Sequence, residues 1–272
     1  MPRATINGVQ IYYETHGTGF PLILAFGIGC STRLWKDQIA ELSRRHRLIL
    51  WDPRGQGQSE SPQDPAKYSI PISAEDLLGL MDTLQISKAY VGGNSLGAGV
   101  ATVFTLKHPE RVAALLLFNS ATCSGLPVRS ELKPAWEKHI EIALTRGMQP
   151  IVEDLASHPD VWVTAKADPV EMKGIKKEFL RLDPIAYASS VRAILENPLR
   201  SEQLSGITVP TLVLSAEHDP ALPLMRTVAE KIPNATFVEI KGAGHLSNLD
   251  EPETFNLNVV KFLEKVDRLR RD

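Results

Sequence analysis

The chain has 272 residues, with 30 lysines and arginines against 32 aspartates and glutamates, and this length suffices for one large α/β domain or for a core domain with an insertion. Because positive and negative charges nearly balance, we expect no nucleic-acid partner. We also expect no membrane span, because the sequence contains no stretch of about 18 apolar residues. Because Cys30 and Cys123 form neither a disulfide framework nor a zinc motif, and no apolar signal segment opens the chain, we expect free thiols in a cytoplasmic protein.

Short apolar runs alternate with longer stretches of helical periodicity, which predicts a parallel sheet covered on both faces. An antiparallel strand is expected first, over residues 10–15, after the turn at Asn7 and Gly8. The buried runs that predict further strands are 22–26, 48–51, 89–92, 114–118, 211–214 and 236–240. Helices are predicted over 35–42, 73–84 and 96–107, the second with Ser73 as its N-cap. The last helix carries one buried stripe, formed by Phe255, Val259, Phe262, Leu263 and Val266.

The alternation stops after Ala121 and resumes at Val209, and the stretch between them contains no convincing strand. Its apolar residues instead form three helical stripes separated by prolines. The stripes are Trp136, Ile140, Ala143 and Leu144, then Met172, Ile175, Phe179 and Leu182, then Tyr187, Val191, Ile194 and Leu195. We therefore predict a helical lid over 123–205, inserted into a core domain made of 1–122 and 206–272. A small independent domain is the alternative, but three short stripes would give it a weak core.

A Gly-x-Ser-x-Gly pattern, from Gly93 to Gly97, follows a predicted strand directly and precedes a predicted helix. A serine on such a sharp turn needs glycine on both sides, because a Cβ there would meet the neighbouring helix or strand. The turn would lift the Ser95 hydroxyl above the carboxyl edge of the sheet, at a helix N-terminus that favours developing negative charge. This context predicts that Ser95 is a nucleophile and that the Leu96 amide stabilises an oxyanion.

A serine hydroxyl needs a base within reach and an acid that orients the base. His245 is the predicted base, because Gly242 and Gly244 allow a tight loop after the last predicted strand. Most of the other histidines lie in predicted turns or helices away from that edge, and His218, which adjoins the predicted acid, is interpreted as structural.

The predicted acid is Asp219, which follows the strand over 211–214. Glu217 is the alternative, but Pro220 fits a turn that presents the Asp219 side chain. Some proteins with this arrangement carry the acid after the sixth strand instead, where this chain reads Phe118 and Asn119 and offers no carboxylate.

The loop after the strand over 22–26 is expected to supply the second oxyanion donor, and we assign it to the Ile28 amide, although a neighbour could serve. A donor of this kind contributes about 3 kcal/mol to transition-state stabilisation. The predicted substrate contacts are Phe26 and Gly27 in the same loop and Trp136 in the lid. Trp162 could join Trp136 in an apolar pocket roof, or both could pack within the lid.

As a set, these motifs resemble the α/β-hydrolase superfamily across essentially the whole chain, and the stretches 243–252 and 209–213 resemble 3-oxoadipate enol-lactonases. The resemblance implies a mostly parallel eight-stranded sheet with helices on both faces and an inserted lid. This chain has Phe26 and Gly27 where the wider superfamily has His-Gly, and enol-lactonases often lack that histidine too. Arg33 or Arg54 could receive a substrate carboxylate, but a structural role is favoured for Arg54.

The resemblance implies a hydrolase that cleaves a small ester or lactone through an acyl-enzyme on Ser95, without a metal or organic cofactor. A carbon-carbon bond hydrolase of a diketone and a cofactor-free perhydrolase would use the same three residues. A dehalogenase or epoxide hydrolase would need aspartate in place of Ser95. A non-catalytic ligand receptor is a further alternative, which the intact set of residues disfavours. The sequence does not indicate the oligomeric state.

Overall fold

A computed structural model describes residues 2–126, 133–157 and 169–271. Within these ranges the chain forms one eight-stranded sheet with the spatial order β1-β2-β4-β3-β5-β6-β7-β8. Strands β1 and β2 are antiparallel to their neighbours, and every other pairing is parallel. The strands are β1 (Arg3–Ile6), β2 (Val9–His16), β3 (Phe20–Ala25), β4 (His46–Trp51), β5 (Ala89–Asn94), β6 (Val112–Phe118), β7 (Thr211–Ala216) and β8 (Ala235–Ile240). The expected fold class is thereby confirmed.

Helices connect the strands and cover both faces of the sheet. The helices of the described ranges are α1 (Lys36–Leu42), α2 (Ile70–Thr83), α3 (Leu96–Lys107), α4 (Lys133–Arg146), α5 (Met148–Ser157), α6 (Pro169–Arg181), α7 (Pro184–Leu195), α8 (Leu222–Lys231), α9 (Ser247–Asp250) and α10 (Pro252–Arg271). Two buried apolar clusters result, one that includes Phe104 of α3 and one that includes Phe255 of α10. No helix in the described ranges is both long enough and apolar enough to cross a membrane.

Between β6 and β7 the described ranges contain the α-helices α4, α5, α6 and α7 and no strand, in agreement with the absence of a strand pattern in the sequence. Helices α4 and α7 carry the first and third predicted stripes, and α6 carries the second except for Leu182, which lies one residue beyond its end. Pro169 and Pro184 each begin a helix. Helix α5 was not predicted, because Pro150 suggested a break. Proline is tolerated there because it is the third residue of the helix. The backbone nitrogens of the first turn have no intrahelical acceptor, so the missing N–H of proline costs no hydrogen bond.

The predicted N-cap of α2 was wrong. The helix begins at Ile70, and the cap is Ser69, whose Oγ accepts a hydrogen bond from the Ile72 amide at 3.1 Å. Pro71 lies in the first turn, where its fixed φ fits a helix, so the helix extends one turn beyond the position expected from the apolar pattern. Ser73 lies inside the helix and is buried.

The parallel strands bring their carboxyl ends to one edge of the sheet. The segments that carry Phe26, Ser95, Asn119, Asp219 and His245 each follow one of these strands, β3, β5, β6, β7 and β8 respectively. In open α/β sheets this edge is where ligands bind. The fold therefore gathers every predicted catalytic residue on one side of the molecule.

Candidate active site

Ser95 occupies the sharp turn between β5 and α3. Its backbone has φ 55° and ψ −121°, and a positive φ is costly for a residue with a side chain. Hydrogen bonds hold the turn in place: the Ser95 amide donates to the Phe118 carbonyl at 3.1 Å, and the Ser95 carbonyl accepts from Ser120 Oγ at 2.7 Å and Thr122 Oγ1 at 2.9 Å. Strain of this kind persists only where the surroundings fix it, and it is frequent at active sites.

The glycines on both sides of Ser95 are required by close packing. A Cβ on Gly93 would lie 2.6 Å from the carbonyl carbon of Gly97 and 2.7 Å from the carbonyl oxygen of Ala25. A Cβ on Gly97 would lie 2.6 Å from the same oxygen. A side chain at either position would therefore clash with the backbone, as the motif predicts. Because both residues are glycines, α3 can pack directly on the ends of β3 and β5.

His245 and Asp219 lie together. Nδ1 of His245 is 3.0 Å from Oδ2 of Asp219, and the other carboxylate oxygen accepts from the Ala221 amide at 2.8 Å. The Asp219 side chain is only 2% exposed, whereas that of His245 is 28% exposed. The carboxylate therefore fixes the imidazole by its Nδ1 edge, which leaves Nε2 as the nitrogen available for proton transfer.

Glu217, the alternative acid, lies on the surface away from the imidazole. Its side chain accepts from the Gly242 amide at 3.0 Å and from Lys241 Nζ at 3.4 Å. It thus braces the start of the loop that carries His245. In the described residues, the carboxylate that contacts the imidazole is that of Asp219.

Burial and charge act in opposite directions on His245. Burial lowers its pKa, but the charge of Asp219 and the hydrogen bond to it raise the pKa more, so that it lies above the ordinary value of 6.5. An imidazole that holds a proton more tightly is a stronger base. Asp219 therefore both orients His245 and increases its ability to accept a proton from a hydroxyl group.

The loops that carry these residues are joined beneath the site. The His218 amide donates to the Ala243 carbonyl at 3.0 Å, and Gly244 donates to Asp250 Oδ2 at 2.8 Å. Asn119, at the end of β6, donates to Ser247 Oγ at 2.6 Å, which brings the loop after β8 back towards the centre of the sheet. Within the part of the chain that the structure describes, Ser95 Oγ makes no hydrogen bond.

The two amides predicted to bind an oxyanion border the Ser95 turn. A Cβ on Gly27 would lie 2.9 Å from Ser95 Oγ and 3.6 Å from the Leu96 nitrogen, so the backbone before Ile28 passes directly over the hydroxyl. Neither the Leu96 amide nor the Ile28 amide donates a hydrogen bond within residues 2–126, 133–157 and 169–271. Unpaired amides beside a nucleophile are available to an incoming carbonyl oxygen.

The predicted substrate contacts lie at different depths. The Phe26 ring is 2% exposed and packs against Trp35, with 5.0 Å between ring centroids. Gly27 lies against Ser95, and Trp136 of α4 is partly buried against the apolar cluster that contains Phe255. Trp162 and His158 lie outside the described residues. The substrate-binding roles of Phe26, Gly27 and Trp136 stay predictions.

Both arginines considered as receivers of a substrate carboxylate are already paired. Arg33 Nε donates to Glu178 Oε1 at 2.7 Å and Nη1 to Glu171 Oε1 at 2.8 Å, and both glutamates belong to α6. Arg54 is buried and binds Asp76 through two hydrogen bonds of 2.6 Å. The structural role favoured for Arg54 fits this geometry, and Arg33 fastens α6 to the loop that follows Ile28.

Asn119 is a residue of the site that the sequence reasoning missed. The sequence marks it only as a position without a carboxylate, yet its side chain is fully buried and contacts the segments on both sides of it. Its φ of 43° was not predictable, because no glycine or turn motif marks the position. The sequence signal that could have pointed to it is an asparagine side chain directly after a buried strand.

Two family models match different parts of the chain. A family model described as "alpha/beta hydrolase fold" matches residues 21–143, and one described as "TAP-like protein" matches residues 191–272. Over 273 residues the chain is 29% identical to a protein of Azorhizobium caulinodans named carbamate hydrolase RutD, with coverage of 98% of this chain and 100% of that relative.

Solved structures agree along nearly the whole chain. The enol-lactonase from Burkholderia xenovorans LB400 is 31% identical, with a TM-score of 0.86 over 97% of this chain and 100% of that one. A thermophilic esterase from Thermogutta terrifontis is 29% identical, with a TM-score of 0.87 over 98% of this chain and 99% of that one. The expected likeness to enol-lactonases is thereby confirmed.

Proposed function

Because this chain belongs to the α/β-hydrolase family, we propose that it is a serine-dependent hydrolase that cleaves a small carboxylic ester or lactone through an acyl-enzyme on Ser95. The observation that carries the proposal is the pairing of a strained Ser95 turn with a buried Asp219 that holds His245, all at one edge of the sheet. Hydrolase activity itself is supported by the family and its relatives.

In the proposed first step, the Ser95 hydroxyl turns to His245 and gives its proton to Nε2 as Oγ bonds to the substrate carbonyl carbon. The carbonyl oxygen becomes an oxyanion that accepts hydrogen bonds from the Leu96 and Ile28 amides. Asp219 stabilises the imidazolium that forms. The tetrahedral intermediate then expels the leaving oxygen, which takes the proton from His245, and the acyl group stays on Ser95.

In the second step, water gives a proton to His245 and attacks the acyl carbon. A second oxyanion forms in the same pair of amides, and its collapse releases a carboxylic acid and restores the Ser95 hydroxyl with the proton held on His245. With a lactone, the leaving oxygen belongs to the same molecule as the acyl group, so the reaction gives a single ring-opened product.

An ester or lactone substrate is favoured by the similarity to the enol-lactonase and the esterase described above. A carbamate is a second candidate, favoured by the 29% identity to the protein named carbamate hydrolase RutD. Both classes present a carbonyl carbon to the same nucleophile. We also propose that helices α4 to α7 form the lid over 123–205 and that Phe26, Gly27 and Trp136 contact the substrate.

The proposal is tested by treating the purified protein with a fluorophosphonate probe and with p-nitrophenyl acetate. We expect probe labelling on the peptide that contains Ser95 and hydrolysis of the ester, both lost in Ser95→Ala. A panel of enol-lactones, plain lactones, aryl esters, carbamates and diketones, compared by kcat/KM, then identifies the substrate class. Absence of both labelling and hydrolysis would instead favour a ligand receptor, and fastest turnover of a diketone would overturn the ester and lactone assignment.

A further inference from the structure

Asn119 lies at the carboxyl end of β6, between the strand that leads to Ser95 and the strand that leads to Asp219. It is fully buried and has a left-handed backbone with φ 43°, a conformation that asparagine tolerates better than most residues. Its own amide donates to the Leu214 carbonyl at 3.0 Å. The backbone is therefore fixed, and the side chain points between the two neighbouring strands.

Three hydrogen bonds fix the Asn119 side chain. The Ala216 amide donates to Oδ1 at 2.9 Å, and since an N–H can only donate, this contact settles which end of the amide is the oxygen. Nδ2 therefore faces the other two partners, Ser247 Oγ at 2.6 Å and Asn94 Oδ1 at 3.2 Å. Asn119 and its three partner residues are all buried.

Each partner adjoins one of the three proposed catalytic residues. Asn94 directly precedes Ser95, Ala216 lies three residues before Asp219, and Ser247 lies two residues after His245. Asn119 thus contacts the nucleophile, acid and base segments at once, and its hydrogen bonds within the described residues go to neighbours of the three proposed catalytic residues rather than to their side chains.

We propose that Asn119 is a positioning residue, which holds the His245 loop and the end of β7 in register with the Ser95 turn. The inference rests on the proposed function. Its physical basis is that proton transfer between Ser95 and His245 requires the two side chains to meet in a narrow range of distance, and a displacement of about 1 Å in such a site lowers the rate about a hundredfold. Without the Asn119 amide, the Ser247 end of the loop loses its link to the centre of the sheet.

Asn119→Gly is the variant that tests this role, because glycine keeps the left-handed backbone and removes only the side chain. We expect kcat for p-nitrophenyl acetate to fall about 10- to 100-fold, with KM within about threefold. The acidic limb of the kcat/KM profile should also move to lower pH, since His245 is then held less closely by the Asp219 charge that raises its pKa.

Ser247→Ala is the second variant, and it removes a single hydroxyl from the same network. It should shift kcat and the acidic limb in the same direction by a smaller amount, and its effect should not add to that of Asn119→Gly. Asn7→Gly is the matched control, because Asn7 is also left-handed, with φ 50°, and donates to Asp76 at 3.0 Å in the turn between β1 and β2. It should leave kcat and the pH profile unchanged.

The outcomes separate the inference from the proposed function. A wild-type protein that neither labels with fluorophosphonate nor hydrolyses the ester overturns both. An active wild type with folded Asn119→Gly and Ser247→Ala variants of unchanged kcat and pH profile overturns the positioning role alone. A fall in kcat without a shift of the acidic limb also overturns it, because that result indicates a general structural loss. Circular dichroism and melting temperature establish folding, and if Asn119→Gly does not fold, Ser247→Ala decides.

Discussion

Replacing Gly27 with alanine would place a methyl group directly over the proposed nucleophile. The new Cβ would lie 2.7 Å from Ser95 Cβ and 2.9 Å from Ser95 Oγ, whereas ordinary contacts of a Cβ begin at 3.4 Å. The φ of Gly27 is not in the left-handed region, so alanine introduces no backbone strain there. The perturbation is therefore a steric one, confined to the space between the loop after β3 and the Ser95 turn.

The expected loss follows from the displacement that the methyl group forces. Relief of the contact requires Gly27 and Ser95 to separate by about 0.7 Å, and about 1 Å of misplacement in a catalytic site costs about a hundredfold in rate. We expect kcat/KM to fall about 30- to 100-fold, which corresponds to about 2 to 2.7 kcal/mol. The methyl group would also crowd the Leu96 amide, from which it would lie 3.6 Å.

The assay is kcat/KM for p-nitrophenyl acetate, with the melting temperature measured on the same samples. Gly206→Ala is the control, because a Cβ there would have one neighbour within 4 Å among the described residues, Leu106 Cδ2 at 3.8 Å, which is an ordinary contact. Gly206→Ala should keep the wild-type melting temperature and activity. Gly27→Ala should fold with a lower melting temperature, because overpacking costs about 1 to 3 kcal/mol, and should lose activity. A folded Gly27→Ala protein with kcat/KM within threefold of wild type would show instead that the reaction does not use the space over Ser95.

Three further predictions concern charge. Asp219→Asn should lower kcat about ten-thousandfold, whereas Glu217→Gln should have little effect; the reverse result would identify Glu217 as the acid. The acidic limb of the wild-type kcat/KM profile should lie above pH 6.5, because only neutral imidazole accepts a proton and the pKa of His245 is raised; a limb below that value would contradict the pairing with Asp219. Arg54→Ala should lower the free energy of unfolding by about 3 to 5 kcal/mol in denaturant titration, since it leaves the buried Asp76 carboxylate without its positively charged partner; unchanged stability would contradict a structural role.

The central strands were predictable because a parallel strand covered on both faces is a nearly continuous apolar run. Strand β1 was not predicted, because it has only four residues, of which two are exposed, and it lies at the edge of the sheet. Helix α8 was also missed. Its ten residues include the exposed or partly exposed positions of a surface helix, and Pro223 near its start resembles a break.

The sequence located the residues of the site better than it described their surroundings. Motif order and flanking glycines predict Ser95, Asp219 and His245 as the catalytic residues, since a strand followed by a short loop places each of them at one edge of the sheet. The pairing of Arg33 with Glu171 and Glu178 was not predictable, because it joins segments about 140 residues apart in a helix whose docking no local pattern encodes. The hydrogen bonds of Asn119 were not predictable either, because they join it to residues that are distant in the sequence.

The most direct test of Ser95 as the nucleophile is the turnover of Ser95→Ala, together with the mass of the wild-type protein trapped during turnover of a slow ester. We expect kcat to fall about a million-fold in a folded variant. We also expect the trapped wild type to carry one acyl group, on the peptide that contains Ser95. Near-normal turnover by Ser95→Ala, or an acyl group on another residue, would contradict this assignment.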